Sequence, residues 1–525
     1  MSAKINFKIL KFNDDARASL LEGVKILADA VTTTMGPSGK NVLIERAGQS
    51  PMLTKDGVTV ARAINLREKF QNLGVQIVRE AAQSTAEEAG DGTTTATLLA
   101  SRLFETGLRA YAAGHDLVEI KAGIATGTKK VIIQLQKMSK SIETREELFR
   151  VANISVNGEE QLAELIVQAI DEVGQHGAIS VVESKGFESS LEVVDGCEID
   201  RGYVSPYFVN NPSRLACVLE KPAILVTNQK ITNIQHILHF MEESASTSQP
   251  FIIISPQVDG DALQGLILNS NKKLIRCCVL ATPEFGDARV EATRDLGLLL
   301  GFEEVNDEPA TWRNLKLADL GTCDRLISYR FRSVIIGASG SPERREERVM
   351  SITSALDSIS KTDPSYEALF RRLHRLNAGV AILHVGGATE SEIQERKDRV
   401  DDALSAVRAA TEEGIVVGGG AALARAAYKC SKSDRGNVGL SLFYESCMSP
   451  VEQIARNCGA VPEVVLEKML LKKEGSFGFN ARTHEYQDLI QCGVIDPLKV
   501  TRLALSNGAS AAINLLSVGC AIIND

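Results

Sequence analysis

The run Gly90-Asp91-Gly92-Thr93-Thr94-Thr95-Ala96-Thr97 places one carboxylate between two glycines, then opens an apolar helical pattern that continues through Leu98, Leu99 and Ala100. A helix start presents free backbone N–H groups and the positive end of a dipole, which suits a phosphate. The threonine hydroxyls add donors, and Asp91 is a hard oxygen ligand of the kind that holds Mg²⁺ beside phosphates. On this segment alone, an Asp-Gly turn with threonine caps has equal claim. Distant segments of matching chemistry separate the two readings.

Thr34-Met35-Gly36-Pro37-Ser38-Gly39-Lys40 is a second glycine loop, where backbone N–H groups can approach an anion. It lacks the G-x-x-x-x-G-K-[ST] spacing of a Walker A loop, and by itself reads as a turn. Thr54-Lys55-Asp56-Gly57-Val58 sets a cation beside an acid at a turn: Lys55 can reach a phosphate, and Asp56 can help hold a cation or a water. Asp402, inside a helical stretch, is the residue type that orients and deprotonates a water attacking a γ-phosphate. In isolation it reads as a solvated helical acid. Gly418-Gly419-Gly420 precedes an Ala-rich helix, a place for close backbone approach to a ligand or for a joint. Asp496, before Pro497, reads as an Asx turn or helix cap, or as an acceptor for ribose hydroxyls.

A chain of 525 residues calls for two or three domains. With 44% hydrophobic and 24% charged residues it reads as globular, and the net charge of −9 argues against nucleic acid as the main partner. No apolar run approaches the roughly 18 residues of a membrane span, and the first residues lack a signal-peptide core, so a cytoplasmic location is expected. The ten cysteines contain no C-x-x-C pair and the seven histidines form no ligand cluster, which argues against a zinc site or disulfide framework. With 5% aromatics the core must rest on Ala, Val, Ile and Leu.

Along the chain, Asn13-Asp14-Asp15 is expected to cap a helix with apolar face Leu20, Val24, Leu27 and Val31, broken at Met35 to Gly39. A short strand follows over 41–45, then helices over 73–85 and 93–113. In the middle, runs at 223–227, 251–255 and 274–280 read as buried strands alternating with helices, a βαβ-type domain. Residues 340–376 are helical again, 381–385 are a strand, and the last part is helical. This order allows a central domain inserted into a helical one.

Taken together these segments resemble the group I chaperonins, the GroEL-type family. The match runs in order over nearly the whole chain. Its markers are Thr34-Met35-Gly36-Pro37, Thr54-Lys55-Asp56-Gly57-Val58, Gly90 to Thr97, Asp195-Gly196 with Asp200-Arg201-Gly202-Tyr203, Phe285-Gly286-Asp287, Ala409-Ala410 with Glu412-Glu413-Gly414, Gly418-Gly419-Gly420, and Asp496-Pro497 with Lys499-Val500-Thr501-Arg502. The resemblance implies a multi-domain α+β fold. A mostly helical equatorial ATP-binding domain is formed by 1–137 and 413–525. A small α/β intermediate hinge domain is formed by 138–194 and 381–412. An α/β apical domain, 195–380, is inserted in the middle. Gly196 and Gly379 fall at the family's upper hinge, and Gly414 near its lower one.

The resemblance also implies an ATPase that uses ATP and Mg²⁺, with K⁺ a further candidate cation. Thr34, Met35, Gly36 and Pro37 would line the nucleotide, with Lys55 near the phosphates. Asp91 would be the metal ligand, with Gly92, Thr93, Thr94 and Thr95 on phosphate oxygens. Asp56 and Asp402 would be the hydrolytic acids, the latter arriving when the intermediate domain closes. Gly419, Asn480, Ala481 and Arg482 would surround the base and ribose, with Asp496 on the ribose. Unfolded clients, and a GroES-type co-chaperonin, would bind Tyr203, Tyr207 and Phe208. They would also bind a helical face of Ile234, Ile237, Leu238 and Met241, and a second of Leu263, Leu266 and Ile267. Core packing is the competing explanation of both faces.

The chain departs from the family at Glu452 and Val461, where an Arg–Glu pair between rings is usual. This predicts a homo-oligomeric ring with weak or absent ring stacking. Arg482 replaces a small residue beside the base, Glu284 replaces a glycine in the Pro-Gly-Phe-Gly-Asp segment, a hinge proline is replaced near Ser141, Ala378 replaces a hinge glycine, and the Gly-Met-rich tail is missing. These changes mark a divergent copy, a paralogue or a phage-borne form. They set an ATP-driven folding chaperonin against a single-ring or small-oligomer holdase. A metabolic kinase is a weaker third reading, since no second small-substrate pocket is identifiable.

Overall fold

The computed structural model describes residues 8–45, 51–142, 144–156, 158–174, 178–184, 186–212, 215–284, 286–302, 312, 314–359, 365–377, 379–434, 437–472 and 474–524. Phe285 and Ala378, singled out above, lie outside them. The chain forms two compact units, Met1–Ala163 with Asp398–Asp525, and Glu164–Lys397. A segment from each end of the chain therefore builds one body around an inserted second one.

The first unit is helical. The helix Asn13–Thr32 buries Leu20, Val24, Leu27 and Val31, as its 3.6-residue period predicts. Its expected cap is different: Phe12 is the N-cap and offers no side-chain acceptor, while Asp14 and Asp15 lie in the first turn, where the dipole favours them. It crosses the helix Lys69–Ala89 very closely. A Cβ at Gly23 would sit 2.0 Å from the Gln71 carbonyl oxygen, and one at Gly74 would sit 2.4 Å from that of Leu20. Helices Thr93–Ala112, Leu117–Met138, Ala421–Ser431, Val438–Ser446 and Leu498–Leu516 complete the bundle. Its core is Leu, Val, Ile and Ala around Phe104 and Phe443, as the composition requires. Among the described residues four two-stranded antiparallel sheets lie on the same unit: Val42–Ile44 with Met52–Thr54, Lys8–Phe12 with Cys520–Asn524, Ile415–Val417 with Ile495–Pro497, and Phe477–Asn480 with Glu485–Asp488.

The second unit is a nine-stranded mixed sheet with helices. Strands Ala223–Val226, Phe251–Ser255 and Cys277–Ala281 run parallel and are almost wholly buried, connected through helices Leu238–Thr247 and Gly260–Asn271. This is the βαβ pattern read from the chain. The antiparallel part, Ser190–Ile199, Gly321–Ser328 and Ser333–Ala338, was not legible in the pattern. Ser190–Ile199 serves two partners: residues 190–195 pair with 379–384, and 196–199 pair with 333–336. Gly196 stands at the change of partner, where a Cβ would come 2.2 Å from the Ile335 carbonyl oxygen. Strands assigned above to the intermediate segment thus share a sheet with apical ones.

Glu284 takes φ +63°, the left-handed conformation that glycine would adopt at little cost, and its carboxylate is gripped by Arg371 at 2.9 and 3.0 Å. The ten cysteines are free thiols; burial pushes Cys197, Cys277 and Cys323 up to about 12, so they pack as small apolar groups. Among the described residues no helix is long and apolar enough to cross a membrane.

Candidate functional site

Three close backbone contacts in the first unit assemble the site. Gly57 packs so tightly on the start of helix Thr93–Ala112 that a Cβ there would lie 2.3 Å from Thr94 Oγ1, and 3.5 Å from Val31 Cγ1. Gly90, left-handed at φ +76°, ends helix Lys69–Ala89, and a Cβ on it would fall 1.9 Å from Ser405 Cβ. Strand Ile415–Val417 pairs with Ile495–Pro497, placing Asp496 opposite Val416 and beneath Gly418-Gly419-Gly420. The turn at Asp56, the Gly90–Thr97 run, the helix of Asp402 and the Asp496 strand therefore meet.

Helix Thr93–Ala112 starts with Gly92 as N-cap and no side-chain cap. Its first amides are not spent on a neighbour, and Thr93 Oγ1 is buried without a hydrogen-bond partner. An oxygen-rich ligand would satisfy both. The loop before it is prepared in the same sense. Thr34 Oγ1 donates to the Val31 carbonyl (2.8 Å), Lys40 N to that of Thr33 (2.9 Å) and Gly39 N to that of Gly36 (3.0 Å). These bonds, with Thr34 N and Met35 N donating back to the helix end, use four of the loop's amides, and Pro37 has none, so the Gly36 and Ser38 amides are those left for an anion.

The acids face one another. Asp91 and Asp402 are exposed to water, yet protein atoms crowd both. Burial is the largest cause raising the Asp402 carboxyl well above the ordinary range; Asp91, Asp56, Asp401 and Asp398 add to it. Asp91 is raised by burial and by Asp56, and lowered by the Gly92 amide, which donates to it at 2.5 Å. Asp496 is pushed up to about 7, by burial first and by Asp91 second, against the Gly420 and Gly419 amides. Such a cluster suits a cation shared with phosphates. Among the described residues no group of three or more His, Cys, Asp or Glu side chains is placed to hold a metal ion by itself. Mg²⁺ beside phosphates needs one or two carboxylates, the rest of its shell being water and phosphate oxygens, and Asp91 is of that residue type.

Asp56 has a local task as well. Its carboxylate caps helix Gly57–Ala63, accepting from Val58 N (3.0 Å) and Thr59 N (2.8 Å). Lys55 is exposed. Asp496 is not the helix cap that its neighbour Pro497 suggested: Pro497 is the N-cap of helix Leu498–Leu516, and Asp496 lies in the preceding strand. Asn480 and Ala481 are buried in the turn of hairpin 477–488; Asn480 Oδ1 accepts from Arg482 N at 3.0 Å, and the Arg482 side chain is exposed. The hairpin docks on the helix that Gly420 begins, through Arg425 Nη2 on the Phe477 carbonyl oxygen at 2.7 Å. No contact joins Arg482 or Lys55 to the acids among the described residues.

Linkage turns the Asp496 position into a measurable slope. A carboxyl whose folded pKa is raised to about 7 contributes stability below its ordinary value, and that contribution is lost as pH rises through 7. Asp496→Asn is therefore expected to unfold at the same temperature as the unaltered chain near about pH 4, and at a progressively higher one toward about pH 8. Thermal unfolding of both nucleotide-free proteins across that range checks this; parallel curves would remove the assignment.

In the second unit the apolar candidates divide. Phe208, Ile237, Met241 and Leu266 are at most 5% exposed and belong to the core, so they offer no surface. The helical face predicted from Ile234 to Met241 is also broken: Ile234–His236 is a short 3₁₀ turn, and helix Leu238–Thr247 starts after Ile237. Phe240, between the predicted positions, is buried as well. Tyr207 remains 64% exposed, and Tyr203, Ile234, Leu238, Leu263 and Ile267 are half-buried. Leu268, 54% exposed beside them, was missed. The turn Pro206–Phe208 and Ile234 both pack on helix Gly260–Asn271, which brings Tyr207 and Ile234 to the helix that carries Leu263, Ile267 and Leu268.

A helical body built from both chain ends, carrying an acid-lined cleft at an uncapped helix start and an inserted α/β unit, defines a chaperonin subunit. Residues 27–249 and 299–525 match the TCP-1/cpn60 chaperonin family, and the chain belongs to that family. Among solved structures it is similar to the chaperonin gp146 from the bacteriophage EL 2 (Pseudomonas aeruginosa), determined in the presence of ATP-BeFx. In one crystal form the identity is 25% and the TM-score 0.68, covering 98% of this chain and 99% of that one. In a second crystal form the identity is 24% and the TM-score 0.64, with the same coverage. A chaperone role follows from the family.

Proposed function

We propose that the chain is an ATP-driven chaperonin that captures unfolded polypeptides on the Tyr207 patch and uses ATP hydrolysis to time their release into an oligomeric ring chamber. The observation that carries this is the meeting of Asp91, Asp402 and Asp56 at an uncapped helix start with an orphaned threonine hydroxyl. ATP would place its phosphates on the amides and hydroxyls of Thr93, Thr94 and Thr95, and Mg²⁺ would be held by Asp91. Bound Mg²⁺ supplies charge neutralisation on the phosphate oxygens. Asp402, raised by burial and neighbouring acids, is the better base at neutral pH, and Asp56 adds negative charge opposite the water. The family resemblance and the ATP analogue present with gp146 support the nucleotide. A cytoplasmic location, K⁺ as an additional cation and a GroES-type partner belong to the same reading, as does the division into equatorial, intermediate and apical domains.

The holdase reading has one observation in its favour. Glu452 is engaged by Arg456 at 3.6 Å and Arg102 at 4.0 Å within its own subunit, and Val461 is 58% exposed, which supports weak ring stacking. Refolding of a denatured client with and without ATP separates the two. ATP-dependent recovery is expected; capture without any ATP effect would favour the holdase. Tyr207→Ser combined with Leu263→Ser is expected to lose most of the suppression of client aggregation, and undiminished suppression would move the client surface elsewhere.

A further inference from the structure

The loop Thr34–Pro37 is held by the helix that carries Glu452. Asn457, the last residue of helix Ser449–Asn457, donates both hydrogens of its side-chain amide into this loop, to the Thr32 carbonyl oxygen at 2.9 Å and the Met35 carbonyl oxygen at 2.8 Å. Thr32 ends helix Asn13–Thr32, and its carbonyl, which also accepts from Met35 N at 3.1 Å, lies at the helix end that the loop must leave. Gln453, one turn earlier, donates to Asn457 Oδ1 at 3.0 Å and so fixes which way the amide faces. Ile454 closes the contact from the side, its Cγ1 and Cγ2 carbons 3.3 Å from where a Cβ on Gly36 would stand. The same helix approaches the other end of the site, because a Cβ on Gly420 would lie 2.9 Å from Pro450 Cβ and 3.1 Å from Val451 N.

We propose that Asn457, oriented by Gln453, is a positioning residue for nucleotide binding: it pins the carbonyls of Thr32 and Met35 so that the loop keeps its shape, with the Gly36 and Ser38 amides left for the phosphates. The proposal rests on the nucleotide reading of the site. Asn457 touches no reacting atom, so its effect falls on nucleotide affinity and not on the chemical step. Asn457→Asp is the sharpest variant, since it keeps the shape, removes both donors and sets a carboxylate against two carbonyl oxygens.

The test uses the full-length chain. Hydrogen exchange of amides 33–40 in the nucleotide-free protein reads the clamp, and steady-state ATP hydrolysis reads its consequence. Asn457→Asp is expected to speed exchange in that loop and raise KM for ATP about ten-fold or more, with kcat within about two-fold. Gln453→Ala is expected to shift both in the same direction by less. A loop that exchanges as in the unaltered chain, or a KM that stays put while the loop loosens, overturns the proposal. An equal fall in kcat for both variants overturns it too, since it would place Asn457 in the chemical step. If the unaltered chain binds and hydrolyses no ATP, the reading of the site falls, and the exchange result still decides whether Asn457 clamps the loop.

Discussion

Asp402→Ala is expected to cut ATP turnover by at least about a hundred-fold, the low end of what a positioned acid or base contributes, while ATP still binds. The expectation comes from position. Asp402 shares the first compact unit with Asp91, and the Gly90–Ser405 contact holds its helix against the Asp91 turn. No closure of a further domain is needed to bring it to the cleft in this conformation. Its carboxyl is crowded by four other acids, so removing it relieves repulsion on Asp91 and leaves no reason for weaker binding. Single-turnover hydrolysis and ADP titration on the same preparation check both halves. Turnover near the rate of the unaltered chain would strip Asp402 of the role of base.

Gly90→Ala is expected to destabilise the first unit by about 3 kcal/mol or more and to lower turnover with it. Two costs combine: a side chain at φ +76°, and a Cβ placed 1.9 Å from Ser405 Cβ. Relief requires the helix of Asp402 to back away from Asp91, so the acids separate. Removing the obstacle should restore part of the loss. Gly90→Ala with Ser405→Gly is expected to be more stable than the sum of the single changes by about 1 kcal/mol or more, the coupling of residues in direct contact. Denaturant unfolding of the four proteins measures it; strict additivity would show that the contact is not what fixes the spacing.

Much of the frame was legible from pattern and chemistry. The 3.6-residue stripe of Leu20, Val24, Leu27 and Val31 and the buried runs at 223–226 and 251–255 announce their elements because one face, or both, must leave water. The antiparallel strands Ser190–Ile199 and Ser333–Ala338 did not, since their inward residues are set by partners far along the chain. The apolar stripe on Ile234, Ile237 and Met241 misled for a related reason. Spacing tells that residues share a face and not whether that face meets solvent, and two of the three point into the core.

By itself the sequence determined the kinds of chemistry at the site: an acid between glycines, threonines opening a helix, and isolated acids at Asp56, Asp402 and Asp496. It also carried the family, because these segments recur in order. Only the tertiary structure decided that the acids face one another, that Asp496 lies in a strand and caps no helix, and that Asn457 and Ser405 hold loops from positions more than 300 residues away. The physical reason is that residue type sets what a group can do, whereas its charge state and partners depend on which distant atoms surround it.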